Sequence, residues 1–200
     1  MFAKIFTYSW HWIVKPGQAT ENLLYEDKRA QIGFWTILIF AFLYSITALI
    51  LWLTGFQPFF KTVLPIPDES YYLWQTFFTI PWGIATWFLT GAVIHLWNRI
   101  FTKQRRLSDI LGHIGYAFAI PWFFFTWLPE TFVAPFLGQW GFPPWPMWIE
   151  FIRIIIPAVW MGTLFYIAVY KVYEARWLRS LTSAFLGTAV LVVMFFLFLR

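Results

Sequence analysis

Residues 30–60 read AQIGFWTILIFAFLYSITALILWLTGFQPFF, a run of 31 positions without a charged side chain. The hydrocarbon core of a bilayer is about 30 Å thick, and a helix that rises about 1.5 Å per residue crosses it with about 20 apolar residues. Comparable uncharged runs occupy residues 70–98, 110–129 and 180–199. These runs predict transmembrane helices, so lipid is the main solvent of this chain.

The composition agrees with a membrane protein. Hydrophobic residues make up 60% of the 200 positions and charged residues 12%, and the mean hydropathy is +0.66. Such a chain leaves little room for a large soluble catalytic domain. The absence of cysteine excludes disulfides, thiolate-bound zinc, iron–sulfur clusters and c-type haem attachment.

We predict an all-α, polytopic transmembrane helix bundle of five spans. An N-terminal segment of residues 1–30 precedes a single transmembrane domain of residues 31–200. The predicted spans are residues 31–54, 71–97, 110–128, 149–170 and 180–199. The fourth span begins with Glu150 and Arg153 in its first turn, which places these charges in the headgroup zone.

The basic residues predict an orientation, because short cytoplasmic loops retain Lys and Arg. One side of the predicted bundle carries eleven of them: Lys4, Lys15, Lys28, Arg29, Arg99, Lys103, Arg105, Arg106, Lys171, Arg176 and Arg179. The other side carries Lys61, Arg153 and Arg200. We therefore expect a cytoplasmic N-terminus and a C-terminus outside. The net charge of +5 indicates contact with anionic lipid headgroups rather than nucleic acid.

The segment before the first span predicts a short helix lying in the membrane surface. A stripe that is apolar except for Ser9 recurs at three- and four-residue spacing, with Lys4 and His11 off it: Phe2, Ile5, Phe6, Ser9, Trp12 and Ile13. We expect Pro16 and Gly17 to end this helix.

The connection from Pro129 to Met147 is rich in proline and aromatic residues and carries one charge, Glu130. Such a segment favours the interface over water, since tryptophan rings settle at headgroup level. We expect it to form a stiff aromatic cap on the outer headgroup layer.

A repeated octet is the most specific internal signal. Residues 80–87 and 120–127 share the pattern Ile-Pro-Trp-x-x-x-Thr-Trp. Helical rise places both prolines near the midplane, where each removes a backbone hydrogen bond. One hypothesis is a midplane cavity for an ion or small solute beside kinked helices, and its candidate residues are Pro81, Trp82, Thr86, Pro121, Trp122 and Thr126. The alternative is that the prolines merely bend the bundle.

Two histidines reach similar depth on either side of one short hairpin, His95 four residues before Arg99 and His113 four residues after Asp109. Facing each other, they could ligate haem or a metal or relay protons. Alternatively, each is a neutral imidazole with an ordinary partner. We expect no bound metal and no cofactor.

Glu150 and Arg153 are spaced to pair on one helix face, with Glu130 at the same outer level. We interpret this interfacial pair as structural, because it lacks the second acid, nucleophile or metal that group-transfer chemistry needs. No nucleotide-binding loop and no His-Glu-x-x-His motif occurs. The sequence therefore predicts a protein that is not an enzyme.

Small residues recur four apart on three predicted spans, which is typical of close helix contacts in lipid. The positions are Ser108 with Gly112, Gly115 with Ala119, Ala158 with Gly162, Ser180 with Ala184 and Thr188, and Ser183 with Gly187. We expect them to pack within the chain by default.

Several local sequences resemble the YIP family of Ypt/Rab-interacting membrane proteins, in its compact prokaryotic form. They are Lys15-Pro16-Gly17, Ile80-Pro81 with residues 89–97, residues 112–121 (GHIGYAFAIP) and residues 173–177 (YEARW). The resemblance implies a five-helix membrane protein without enzymatic activity, whose eukaryotic relatives contact small GTPases. Those relatives carry a long polar N-terminal region, whereas 30 residues precede the first span here.

Three functions follow as hypotheses. The first is a non-enzymatic organiser or assembly partner, contacting lipids and other membrane proteins or a second copy of the chain. The second is a small channel or transporter with a site at the kinked second and third spans. The third is a haem- or quinone-associated subunit built around His95 and His113. We expect the prokaryotic cytoplasmic membrane as its location.

Overall fold

The computed structural model describes residues 2–56, 65–135 and 146–198, of which 87% are helical and none forms a strand. Seven helices are found in these residues. Their bounds are α1 Phe2–Val14, α2 Pro16–Leu24, α3 Arg29–Leu53, α4 Tyr71–Arg99, α5 Leu107–Trp122, α6 Met147–Val172 and α7 Trp177–Phe198. A single 3₁₀ turn, Asp68–Ser70, leads into α4.

Five of these helices are long and apolar enough to cross a membrane, which confirms the predicted all-α fold with five spans. They are α3, α4 with its leading turn, α5 with its continuation to Val133, α6 and α7. The chain is thus a multi-pass membrane protein.

The helix of the predicted third span continues past its predicted end at Leu128. Beyond α5 the helix continues in two π-helical segments, Phe123–Trp127 and Pro129–Val133. A π-helical turn bonds each N–H five residues back, so it shifts the register in which Pro129 would otherwise stop the helix. The first residues of the predicted cap are therefore helical, and residues 136–145 lie outside the described part.

Helix α5 is the centre of the bundle: every residue from Asp109 to Trp122 is buried. Helices α3, α4 and α6 pack around it, and α7 packs against α4 and α6. In the apolar stretch of the span that contains α5, 72% is buried inside the bundle, against 22% in the corresponding stretch of α7. The core therefore forms around α5, while α7 stays at the edge.

Three glycines let α3 and α5 touch backbone to backbone. A Cβ on Gly33 would lie 2.7 Å from the Cα of Gly112, and one on Gly115 would lie 2.6 Å from the Cα of Gly33. A Cβ on Gly112 would lie 2.6 Å from the carbonyl oxygen of Arg29. Close approach of this kind replaces hydrophobic driving force between helices in lipid.

The small residues of α6 and α7 also lie at contacts within the chain. A Cβ on Gly187 would meet Ile94 Cδ1 at 2.7 Å, and one on Gly162 would meet Thr188 Oγ1 at 3.3 Å. These contacts join α7 to α4 and α6. Both glycines therefore pack against other helices of the same chain, as expected.

Two short helices cover the beginning of α5. Trp12 of α1 is fully buried and stacks on Tyr116 of α5, with ring centroids 5.9 Å apart. Helix α2 was not predicted: Pro16 opens a second helix instead of only ending the first, since proline fits the first helical position. Phe6, assigned to the same stripe as Trp12, is 70% exposed and faces away from the bundle.

We expect Gly112→Ala to destabilise the fold by about 1–3 kcal/mol, because its Cβ overpacks a backbone contact that no rotamer change relieves. Gly17→Ala is the matched control, since nothing lies within 4 Å of its Cβ and alanine favours the helix. Unfolding in mixed micelles measures both. Equal stability of the two variants would contradict the α3–α5 contact.

Candidate functional site

A cavity of about 90 Å³ lies between α5, α6 and α7. From α5 and its π-helical continuation it is lined by Trp122, Thr126 and Glu130, which follow one another four residues apart. On the α7 side it is lined by Val192 and Phe196, which are 37% and 57% exposed. The cavity therefore reaches the outer surface of the bundle, where lipid would lie.

One end of the cavity is charged. Arg153 of α6 donates from Nη2 to Glu130 Oε1 at 2.6 Å and from Nη1 to Glu150 Oε1 at 2.8 Å. The Tyr44 hydroxyl of α3 donates to the other oxygen of Glu130. The ionic side chains are only 10–12% exposed, so water screens this cluster weakly.

Arg153 also bonds a backbone carbonyl whose regular α-helical donor would be a proline. Proline at position 129 has no N–H to bond the carbonyl oxygen of Phe125 four residues earlier. Arg153 Nε donates to that oxygen at 3.0 Å. One side chain therefore neutralises carboxylate charge and caps the irregular α5 backbone beside the cavity.

The cluster brings three charged side chains, Glu130, Glu150 and Arg153, to one end of the cavity. Burying charge is costly, and close pairing offsets that cost only in part.

Aromatic rings form the apolar wall. The rings of Trp82 and Trp122 pack edge to face with centroids 5.1 Å apart, and Trp122 stacks on Phe118 at 4.9 Å. Trp82 Nε1 donates to the carbonyl oxygen of Met194 at 3.0 Å, which fixes this ring against α7. The two tryptophans that follow the prolines in the repeated octet thus meet at the cavity.

One polar group in the wall lacks a partner. The hydroxyl oxygen of Thr188 is buried and makes no hydrogen bond within the described residues. A buried hydroxyl without a partner is costly, so an unmet group at a cavity marks a place where a ligand or water can bind.

Three of the six residues predicted to border a cavity do so: Trp82, Trp122 and Thr126. Pro121 is buried in α5 but is not among the lining residues. Thr86 is fully buried in α4, where its hydroxyl has no partner among the described residues. Of the two helices that carry the octets, α5 therefore borders the cavity with one face and α4 with a single residue.

Pro81 does not border the cavity, contrary to expectation. It is exposed, as are Trp74, Phe77 and Phe88, which share its stripe at helical spacing. This stripe faces outward from the bundle. Pro81 is therefore a lipid-facing residue of α4, whereas Trp82, one position further, lies inward.

The two histidines have separate partners rather than facing each other. His95 Nδ1 lies 2.9 Å from the Tyr173 hydroxyl. His113 lies between α5 and α2, with Nδ1 2.6 Å from the carbonyl oxygen of Asp109 and Nε2 3.1 Å from that of Thr20. Each ring joins packed elements, which corresponds to the ordinary role that the sequence left open.

The described residues contain no cluster of side chains that could hold a metal ion. Across residues 2–56, 65–135 and 146–198, no three His, Cys, Asp or Glu side chains are grouped as a metal site would require.

Sequence reasoning missed Tyr44 and Thr188 and placed Glu130 at a helix end. The available signal for Glu130 was its place in a segment with no other charge, directly after a proline. For Tyr44 no signal existed, because only the fold brings α3 to this cluster.

No family model, curated protein or solved structure matches this chain. The resemblance to the YIP family therefore stays a prediction.

We expect Arg153→Met to destabilise the fold by about 3–5 kcal/mol, because it removes the guanidinium that pairs with the weakly exposed carboxylates of Glu130 and Glu150 and that bonds the Phe125 carbonyl. Arg105→Met is the control: its pair with the exposed Glu174 is worth at most about 1 kcal/mol. Denaturant titration of both variants measures the difference. Similar losses would show that the buried cluster carries no special weight.

Proposed function

We propose that this chain is a non-enzymatic membrane protein that binds an amphipathic molecule in the cavity between α5, α6 and α7, the first step of transport. The observation that carries the proposal is the Glu130–Arg153–Glu150 cluster at one end of an otherwise apolar, laterally open cavity. A charged end and an apolar body are the complement of an amphiphile.

Two features of the backbone support ligand binding there. Ionisable groups inside a membrane protein are costly and commonly mark substrate pathways. Irregular helix at membrane depth is typical of places where the backbone borders a cavity, and π-helical turns often occur at functional sites. Both features coincide where α5 continues through Phe123–Trp127 and Pro129–Val133.

We propose a cytoplasmic N-terminus, an external C-terminus and the prokaryotic cytoplasmic membrane as the location. Basic residues gather at the end of the bundle where α3 and α5 begin. There Arg29 pairs with Asp109 at 2.5 Å, and Lys171 pairs with Glu21 at 2.5 Å. By the positive-inside rule this end is cytoplasmic, and the cavity then lies in the outer half of the membrane.

A second candidate function is the membrane organiser, which the exposure of α7 favours. Only 22% of its apolar window is buried inside the chain. The open face carries large apolar side chains such as Phe185, which is 73% exposed. Lipids, another membrane protein or a second copy of the chain would cover it, and YIP membership belongs to this proposal.

We expect Ala158→Phe to abolish ligand binding, because Ala158 lines the cavity and a phenyl ring fills it. Val159→Phe is the matched control, since Val159 is the next residue, is 64% exposed and faces outward. Native mass spectrometry of protein purified from its own membrane measures the bound small molecule. Loss from the first variant alone supports the site; an equal adduct on both, or none on the wild type, contradicts it.

Reporter fusions test the orientation. We expect a reporter active only in the cytoplasm to work at Met1, and one active only outside to work at Arg200, because five spans place the two ends on opposite faces. Activity of both fusions in the same compartment would contradict the proposed topology.

A further inference from the structure

A second pocket, of about 620 Å³, lies at the end of the bundle where α4 ends and α7 begins. Trp97 and Phe101 line it from the end of α4 and the turn that follows. Arg176, directly before α7, and Arg179, in its first turn, line it from the other side. None of the described residues that line this pocket borders the cavity between α5, α6 and α7. A ligand of this pocket is therefore separate from the proposed function.

The second pocket is basic. Its described lining carries two guanidinium groups, Arg176 and Arg179, and one carboxylate, Glu174. Glu174 already pairs with Arg105, whose Nη2 lies 3.0 Å from its Oε1. Neither Arg176 nor Arg179 forms an ion pair with any residue that the structure describes. An anion can therefore bind to these two side chains without displacing a carboxylate.

Two N–H groups of the lining residues have no acceptor among the described residues. Arg179 Nη2 donates to the carbonyl oxygen of Tyr173 at 3.0 Å, and its guanidinium lies 5.5 Å from the centroid of the Phe101 ring. These contacts hold the side chain in place, whereas its Nε is buried and unpartnered. Trp97 Nε1 is likewise buried and unpartnered. A buried donor without an acceptor is costly, so this pocket lacks acceptor atoms.

The phosphate group of a lipid supplies what the pocket lacks. Its oxygens accept hydrogen bonds, and the planar fork of arginine matches their geometry. Basic pockets between transmembrane helices at headgroup level are typical binding sites of anionic headgroups. The rim of this pocket is apolar: Phe101 is 55% exposed and Leu178 is 56% exposed. A free phosphate ion would leave these side chains uncovered, whereas the acyl chains of a lipid would cover them.

We infer that this pocket binds an anionic phospholipid, with its phosphate group at Arg176 and Arg179 and its acyl chains against Phe101 and Leu178. The juxtaposition that carries the inference is a pair of arginines without acidic partners beside unpartnered N–H donors and an exposed apolar rim. In the proposed orientation this lipid belongs to the cytoplasmic leaflet.

Two lipids with the same acyl chains test the class: dioleoylphosphatidylglycerol, with a net charge of about −1, and dioleoylphosphatidylcholine, with a net charge of about zero. Each is titrated into the full chain in mild detergent, and native mass spectrometry measures the bound lipid. We expect the anionic lipid to bind about tenfold more tightly, because its charge is not offset by its own headgroup. An excess of glycerol 3-phosphate should leave this binding unchanged, since it brings the phosphate without the acyl chains.

Arg176→Gln tests the residue assignment. The guanidinium of Arg176 makes no hydrogen bond or ion pair within the described part of the chain, so its loss should leave the fold intact. We expect the affinity for phosphatidylglycerol to fall about fivefold and that for phosphatidylcholine to stay unchanged. Arg99→Gln is the matched control, because it removes the same charge at the end of α4 but Arg99 does not line the pocket. If Arg176→Gln does not fold, the wild-type ranking of the two lipids still decides.

The other outcomes each overturn the inference. Equal affinity of the wild type for the two lipids would refute the anionic class. Equal losses in Arg176→Gln and Arg99→Gln would assign the preference to the basic end of the bundle as a whole and refute this pocket. Displacement of the lipid by glycerol 3-phosphate would assign the pocket to a soluble phosphate compound. The proposed function is tested apart from all of these, because its ligand is lost in Ala158→Phe and retained in Arg176→Gln.

Discussion

The backbone contact between α3 and α5 at Gly33, Gly112 and Gly115 is the constraint on which the rest of the bundle depends. Apolar side chains gain nothing by leaving lipid for a helix interface, so association rests on close packing and its many weak dispersion contacts. With no Cβ at these three positions the two backbones meet directly, and α5 becomes the helix around which α3, α4 and α6 pack. That contact fixes the half of α5 where the helix is regular.

The π-helical continuation of α5 has a different balance of costs. Pro129 cannot donate the regular α-helical bond to the Phe125 carbonyl, and Glu130 brings a charge to a buried position. Arg153 donates to both the Phe125 carbonyl and the Glu130 carboxylate, so α6 stabilises the local structure of this continuation. A well-packed apolar residue at position 130 would not carry the free-energy cost of a buried charge. The charged residues are therefore readily explained if they bind the proposed ligand.

Most of the fold was predictable because long uncharged runs are typical of transmembrane helices. The ends of these runs fall close to the observed helix ends. The failures have physical reasons. Pro16 is predicted to end a helix, yet it opens one. The third span is predicted to end at Leu128, yet Pro129 lies in a π-helical turn that a 3.6-residue period does not reveal. The sequence also could not indicate whether Pro81 faces lipid or the bundle. The outer and inner faces of α4 are both apolar in lipid, so periodicity does not distinguish them. Only the repeated octet in the sequence linked Trp82 with Trp122.

The same division of the bundle indicates how a ligand could move. At the end where α3 and α5 begin, the glycine contact, the Arg29–Asp109 pair and the buried Trp12 close the structure around α5. Helices α6 and α7 bury only 33% and 22% of their apolar windows, so they are the spans with the fewest internal contacts to break. If the proposed ligand moves through the bundle, α6 and α7 are therefore the helices expected to shift against α5. Because Arg153 is carried by α6, a shift of α6 would separate it from Glu130, and this would couple binding of the proposed ligand at the charged end to helix movement.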